Sequence, residues 1–92
     1  MILSFRDSAT QRLWLDGFAK RFSGIEKPAL RKLDMLHHAR SLNDLRAPPA
    51  NRLEALVGDR RGQHSIRIND QWRICFRWTK EGPTDVEIVD YH

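Results

Sequence analysis

One cysteine, Cys75, is all the thiol chemistry this chain has. An internal disulfide framework and a cysteine-based zinc site are therefore excluded, and a reducing cytoplasm is the expected compartment. Met1 to Arg6 hold no apolar stretch of signal-peptide length, and no run anywhere approaches a membrane span. A soluble intracellular protein with no membrane partner is expected. No spacing of His, Asp and Glu suggests a metal site; His37 and His38 lie on a helix, read as solvated or packed there. The five glycines form no phosphate-cradling loop. Repeats, low-complexity tracts and linkers are also missing. Ninety-two residues are too few for a second independent core, so a single domain over residues 1–92 is expected.

What the chain does have is arginine. With 40% apolar and 30% charged residues it reads as a folded domain. Lys and Arg outnumber Asp and Glu by 16 to 12, giving a pI of about 9.8. Residues 46 to 79 carry Arg46, Arg52, Arg60, Arg61, Arg67, Arg73 and Arg77 against only Glu54, Asp59 and Asp70. The planar guanidinium fork binds phosphate through paired hydrogen bonds where lysine offers a point charge, which favours a nucleic-acid or phosphate partner. A basic surface also serves solubility or an acidic protein partner, and composition does not separate these readings.

The apolar pattern changes period halfway along. Met1 to Phe5 alternates weakly, as a short strand would. Ser8 and Gln11 make a capping box, and Trp14, Leu15, Phe18 and Phe22 recur at helical spacing, predicting a first helix over about Ala9 to Phe22. Trp14 is read as core. Ser23 and Gly24 break that helix. A second begins around Pro28, with Leu30, Leu33 and Leu36 on one side and Ala39 and Leu42 extending the stripe. Beyond Pro48 and Pro49 the period becomes twofold. Ile66 and Ile68 alternate with Ser65, Arg67 and Asn69; Trp72, Ile74, Phe76 and Trp78 alternate with Arg73, Cys75 and Arg77. These are two strands of a hairpin. Gly82 and Pro83 make a turn, and Asp85 to Tyr91 form a last strand. The fold class is α+β, two N-terminal helices on a twisted antiparallel sheet, with Arg67, Arg73 and Arg77 on the open face.

Cleaving RNA by acid–base chemistry needs a base for the ribose 2′-hydroxyl, cations for the phosphate, and an acid for the leaving oxygen. The residues offer each. His92 and Glu54 are candidates for base or acid, Tyr91 for an acid or a stacking platform, and Asp90 for a group that orients its neighbours. Arg67, Arg73 and Arg77 are candidates to hold the phosphate, with Arg60 and Arg61 reaching the backbone from the Gly58–Gly62 loop. Each has a plainer reading. A wet sheet face carries charges by default, His92 can be an idle surface group, and Tyr91 can pack at a sheet edge. Under strict alternation Asp90 and His92 point to one side and Tyr91 to the other, so the three converge only if the strand ends near Asp90. Cys75 shares the arginine parity and is read as space-filling.

The run from Asn51 to Phe76, with Gly58, Asp59, Arg60, Arg61 and Gly62 in its turn and Gln71, Trp72 and Arg73 after it, resembles the HigB toxins, or plasmid maintenance system killer proteins. So does the closing Val86 to His92, and the likeness extends over the whole chain. The resemblance implies the RelE/ParE superfamily fold and a toxin of a type II toxin–antitoxin module. Toxins similar to HigB enter the ribosomal 30S A site and cut mRNA there, with no metal or cofactor. Their partner is typically a helix-turn-helix antitoxin of the HigA kind. By this resemblance Arg73 matches the motif arginine proposed to stabilise the phosphate, and Asp90, Tyr91 and His92 match the C-terminal catalytic segment. Some HigB toxins have histidine where this chain has Glu54, and lysine where it has Val57, which implies a slower nuclease here. The alternative is a toxin that acts by binding alone, on a ribosome component or, like relatives resembling ParE, on DNA gyrase.

Overall fold

The computed structural model describes residues 1–90. Helix α1 spans Ser8–Asp16 and α2 spans Glu26–His38. Strands β1 (Glu54–Ala55), β2 (His64–Arg67), β3 (Trp72–Thr79) and β4 (Gly82–Asp90) form one antiparallel sheet in the order β1-β2-β3-β4. The α+β class expected from the change of period is the class observed.

Helix α1 is shorter than its sequence suggests. Asp7 is the N-cap, its carboxylate accepting from the Thr10 amide at 3.1 Å, so the expected Ser8–Gln11 box is replaced by an acid one residue earlier. Gly17 ends the helix at φ 79, its N–H donating to the Leu13 carbonyl at 2.9 Å, because glycine enters the left-handed region without a Cβ penalty. The apolar stripe drawn through Phe22 is therefore broken. Leu13 and Phe22 are buried, Phe22 from a separate turn over Lys20–Phe22, while Leu15 and Phe18 are exposed. Trp14 is half-buried against the His37 ring.

Helix α2 has Pro28 in its first turn, as expected, and buries Ala29, Leu33 and Leu36. It stops at His38. Ala39 turns extended and Leu42 belongs to a tight turn over Leu42–Arg46, capped reciprocally by Ser41 and Asp44. The amides of Arg40 and Ser41 hold the Asp44 carboxyl below its ordinary value.

Both helices cover one face of the sheet, where Ile66, Ile74, Phe76, Val86 and Ile88 meet Leu13, Phe22, Leu33, Leu36 and Leu45. The Thr10 hydroxyl accepts from the Ile88 amide at 3.1 Å, which fixes α1 onto β4. Met1 to Phe5 is not a full strand. It lies parallel to β4 through a single bridge, Phe5 to Val86, with Leu3 donating to Pro83 at 2.9 Å. The β3–β4 turn falls at Lys80 and Glu81, so Gly82 and Pro83 lie in β4 and not in the turn. Gly82 adopts φ +139, and a Cβ there would stand 2.5 Å from the Met1 carbonyl oxygen. Glycine is what lets the amino-terminal segment close on this corner.

Candidate active site

The sheet face turned away from the helices carries the polar parity, and the register sorts it into two rows. Glu54, Ser65, Cys75 and Glu87 are successive cross-strand partners from β1 to β4. Arg67, Arg73 and Val89 form the next row.

The three strand arginines do not share an open face, contrary to the sequence reading. Arg73 is 7% exposed, because the segment from Asn51 to Glu54 runs across it. Its Nε donates to Ser65 Oγ at 2.9 Å, and its Nη2 donates to the Arg52 carbonyl at 2.8 Å. The Glu54 carboxylate lies 3.2 Å from the same Nη2. Arg67 sits in Arg73's row but ion-pairs with Asp70 beyond the end of β2. Arg77 lies past a register shift between Cys75 and Arg77, which separates it from the other two; it is exposed, 3.8 Å from Asp85.

The covering segment is itself anchored. Asn51 is fully buried, its Nδ2 donating to the Leu45 carbonyl at 3.2 Å and its Oδ1 accepting from Lys32 of α2. The next residue, Arg52, takes φ 46, in the left-handed region that non-glycine residues avoid, and so turns its carbonyl toward Arg73. The chain thus places a guanidinium and a carboxylate side by side through a buried amide and one strained backbone position.

The loop arginines differ from each other. Arg61 is exposed, whereas Arg60 folds inward, its Nη1 donating to Gln63 Oε1 and Glu87 Oε1, both at 3.1 Å. Burial pushes the Cys75 thiol up; Arg60, Arg73 and Arg6 pull it the other way and Glu87 adds to the rise, so all four charges bear on this spot. A thiol held protonated is no nucleophile, in line with its space-filling reading.

Asp90 is opposite Trp72 in register, on the parity away from Arg73, and accepts from Gln71 Nε2 at 3.0 Å. Tyr91 and His92 lie outside the described residues, so their expected roles stand on the motif alone. Of the candidate residues, the structure brings Glu54 and Arg73 together, sets Arg60 against Glu87 of the neighbouring row, and leaves Arg67 and Arg77 apart, paired with Asp70 and Asp85. Ser65, Glu87 and the Arg52 carbonyl were missed from sequence. Alternation carried through the last strand puts Glu87 on the arginine parity and was the signal for it. Nothing local marks the Arg52 carbonyl.

Two helices on one face of a twisted four-stranded antiparallel sheet is the RelE-like architecture. A chain of the YoeB–YefM complex from Staphylococcus aureus shares it with a TM-score of 0.59 at 18% identity, over 100% of this chain and 98% of that one. Residues 3–92 match the family of RelE-like toxins of the type II toxin–antitoxin system HigB, and the chain belongs to that family. It is 41% identical over 80 residues to toxin HigB-1 of Vibrio cholerae, spanning 85% of this chain and 84% of that one. An uncharacterized protein of Haemophilus influenzae is 40% identical over 76 residues, 80% of this chain and 75% of its own. The protein is therefore the toxin of a type II module, whose counterpart is an antitoxin. Among the described residues no helix is long and apolar enough to cross a membrane.

Proposed function

We propose that this toxin is a ribosome-dependent mRNA endonuclease of the cytoplasm, cutting in the 30S A site and restrained by a helix-turn-helix antitoxin of the HigA type. The observation that carries the reading is the buried Arg73 beside Glu54, 3.2 Å apart on a basic sheet face. A fixed guanidinium is suited to the equatorial oxygens of a phosphate as charge builds on them, and an adjacent carboxylate is suited to take a proton. That antitoxins bind such folds is suggested by the S. aureus complex of YoeB with YefM.

In the proposed reaction the Glu54 carboxylate accepts the proton of a ribose 2′-hydroxyl. The freed 2′-oxygen attacks the adjacent phosphorus, the bond from phosphorus to the 5′-oxygen breaks, and that oxygen takes a proton as it leaves. The products are a 2′,3′-cyclic phosphate and a 5′-hydroxyl. His92 is the proposed acid, with Tyr91 and Asp90 beside it in the motif; Arg73 holds the phosphate, and Arg60, Arg61, Arg67 and Arg77 meet the RNA backbone. No metal or cofactor is assigned a role. So few groups depend on the ribosome to set the mRNA for in-line attack.

Primer extension on a reporter mRNA translated in vitro tests this, with the natural toxin and with Arg73→Ala and His92→Ala. Expected are cuts at A-site codons that need ribosomes and vanish in the variants. Intact mRNA in cells whose growth still arrests would overturn cleavage and direct attention to gyrase or to ribosome binding.

A further inference from the structure

Glu87 is an acid of the arginine face, in the row of Glu54, Ser65 and Cys75, that the proposed chemistry does not use. It faces Cys75 across the β3–β4 pair, with Arg60 Nη1 at 3.1 Å and Arg6 Nε at 3.9 Å from its Oε1. The same Arg60 nitrogen is tied to Gln63, whose side chain sits in the interior at 4% exposure. Arg60 is thus drawn back over the sheet by an acid and a buried amide, unlike the neighbouring exposed Arg61.

A carboxylate and a phosphate compete for the same guanidinium N–H groups, since both are oxyanions that accept from the fork. With Glu87 in place, the charge that Arg60 and Arg6 present to RNA is partly cancelled at its source. We infer that Glu87 is a specificity-determining counter-ion: it holds Arg60 away from the phosphates of free single-stranded RNA. Arg60 is then released only to a strand presented in fixed position against the face. The inference rests on the proposed RNA substrate and predicts that unbound RNA binds more weakly than the basic charge of the chain alone would give.

The test measures binding without cleavage. Fluorescence anisotropy of a labelled 2′-O-methyl hexauridine, which has no free 2′-hydroxyl, is followed across a salt series for the full chain and for Glu87→Gln, Glu87→Asp and Glu87→Gln/Arg60→Ala. Freeing one arginine for one phosphate steepens the salt slope of log K by about 0.7 and tightens binding by about fivefold at low salt. Glu87→Asp keeps the charge but withdraws it by one methylene, so a smaller gain in the same direction is expected, and this variant carries the test if Glu87→Gln fails to fold. Adding Arg60→Ala should cancel the gain. Affinity and slope unchanged in both single variants, or a gain that survives Arg60→Ala, would overturn the role of Glu87. If ribosome-dependent cuts are lost in Arg73→Ala while Glu87→Gln binds RNA no better, the counter-ion falls and the nuclease stands. If Glu87→Gln gains through Arg60 in a protein that never cuts, the counter-ion stands and the nuclease falls.

Discussion

Replacing Arg73 by lysine keeps the charge and removes the fork. Lysine has no donor at the Nε position, so the fully buried Ser65 hydroxyl loses its 2.9 Å partner. A buried polar group left unsatisfied costs about 1–3 kcal/mol. The Arg52 carbonyl, now at 2.8 Å from Nη2, loses a charged donor or keeps it only by displacing the ammonium from Glu54, for about 1 kcal/mol more. The Glu54 pair itself adds little, because that side chain is 49% exposed and such pairs contribute under about 1 kcal/mol. The sum is a loss of about 2–4 kcal/mol. At about 4–8 °C per kcal/mol for a domain of this size, the melting temperature should fall by at least about 8 °C. Urea unfolding followed by tryptophan fluorescence measures the change directly. A loss below about 0.5 kcal/mol would refute the view that Arg73 is fixed by its fork, and with it the idea that a preset guanidinium carries the site.

Glu54→Gln preserves shape and an acceptor; stability should change by less than about 1 kcal/mol while ribosome-dependent cleavage falls about 10²–10⁴-fold. Primer extension showing cleavage within threefold of the natural toxin would remove Glu54 from the proton transfer. Gly82→Ala should cost more than about 1 kcal/mol, since φ +139 and a Cβ 2.5 Å from the Met1 oxygen are both unfavourable. Faster hydrogen exchange at the Leu3 amide, which donates to Pro83, would accompany the loss; an unchanged melting temperature would contradict it. Burial, then the amino-terminal ammonium and His38, lower the His37 pKa from 6.5 against an opposing pull from Asp34, and its Nδ1 accepts from the Ile2 amide at 3.1 Å. A folded-state value below the unfolded one gives stability that is complete above about pH 6.5 and lost as pH falls through the folded value. Thermal melts from pH 7.5 to 5 should show that loss, reduced in His37→Gln; equal slopes in the two proteins would rule His37 out.

The parts of the fold that could be read from the chain are those set by period. Ile66, Ile68, Ile74 and Phe76 declare a sheet face by alternation, and Leu33 and Leu36 declare the buried side of α2, because each needs only nearest neighbours of known geometry. Helix ends were harder. Gly17 was available as a stop, but the apolar Phe18 and Phe22 beyond it imitated continuation at helical spacing. For the candidate site, the chain offered residue types and parity but not burial. Arg73 has the parity of a wet face, and only the path of Asn51 to Glu54, decided by contacts with α2 and with Leu45, covers it. Period says which side of the sheet a residue is on; it does not say what passes over that side.

That covering is what sets this arginine apart from the others on the basic half of the chain. A guanidinium in water binds a phosphate but must first order its own long side chain, and salt screens what it gains. Arg73 has been ordered in advance by folding, with the cost met by Ser65 Oγ and the Arg52 carbonyl, so on the proposed reading it stabilises charge without reorganising at the moment it develops. The residues that hold it are far apart in sequence: Lys32 on α2, Asn51 in the covering turn, Ser65 on β2. Fold stability and the geometry of the candidate site are for this reason one network, in which the buried Asn51 bears on the position of Arg73 through the Arg52 carbonyl while Glu54 touches it directly. Arg61, exposed on its loop, has no such network among the described residues and offers a more strongly screened charge. The two kinds of arginine on this face differ in what they can do for a phosphate, one presenting a fixed field and the other a mobile contact.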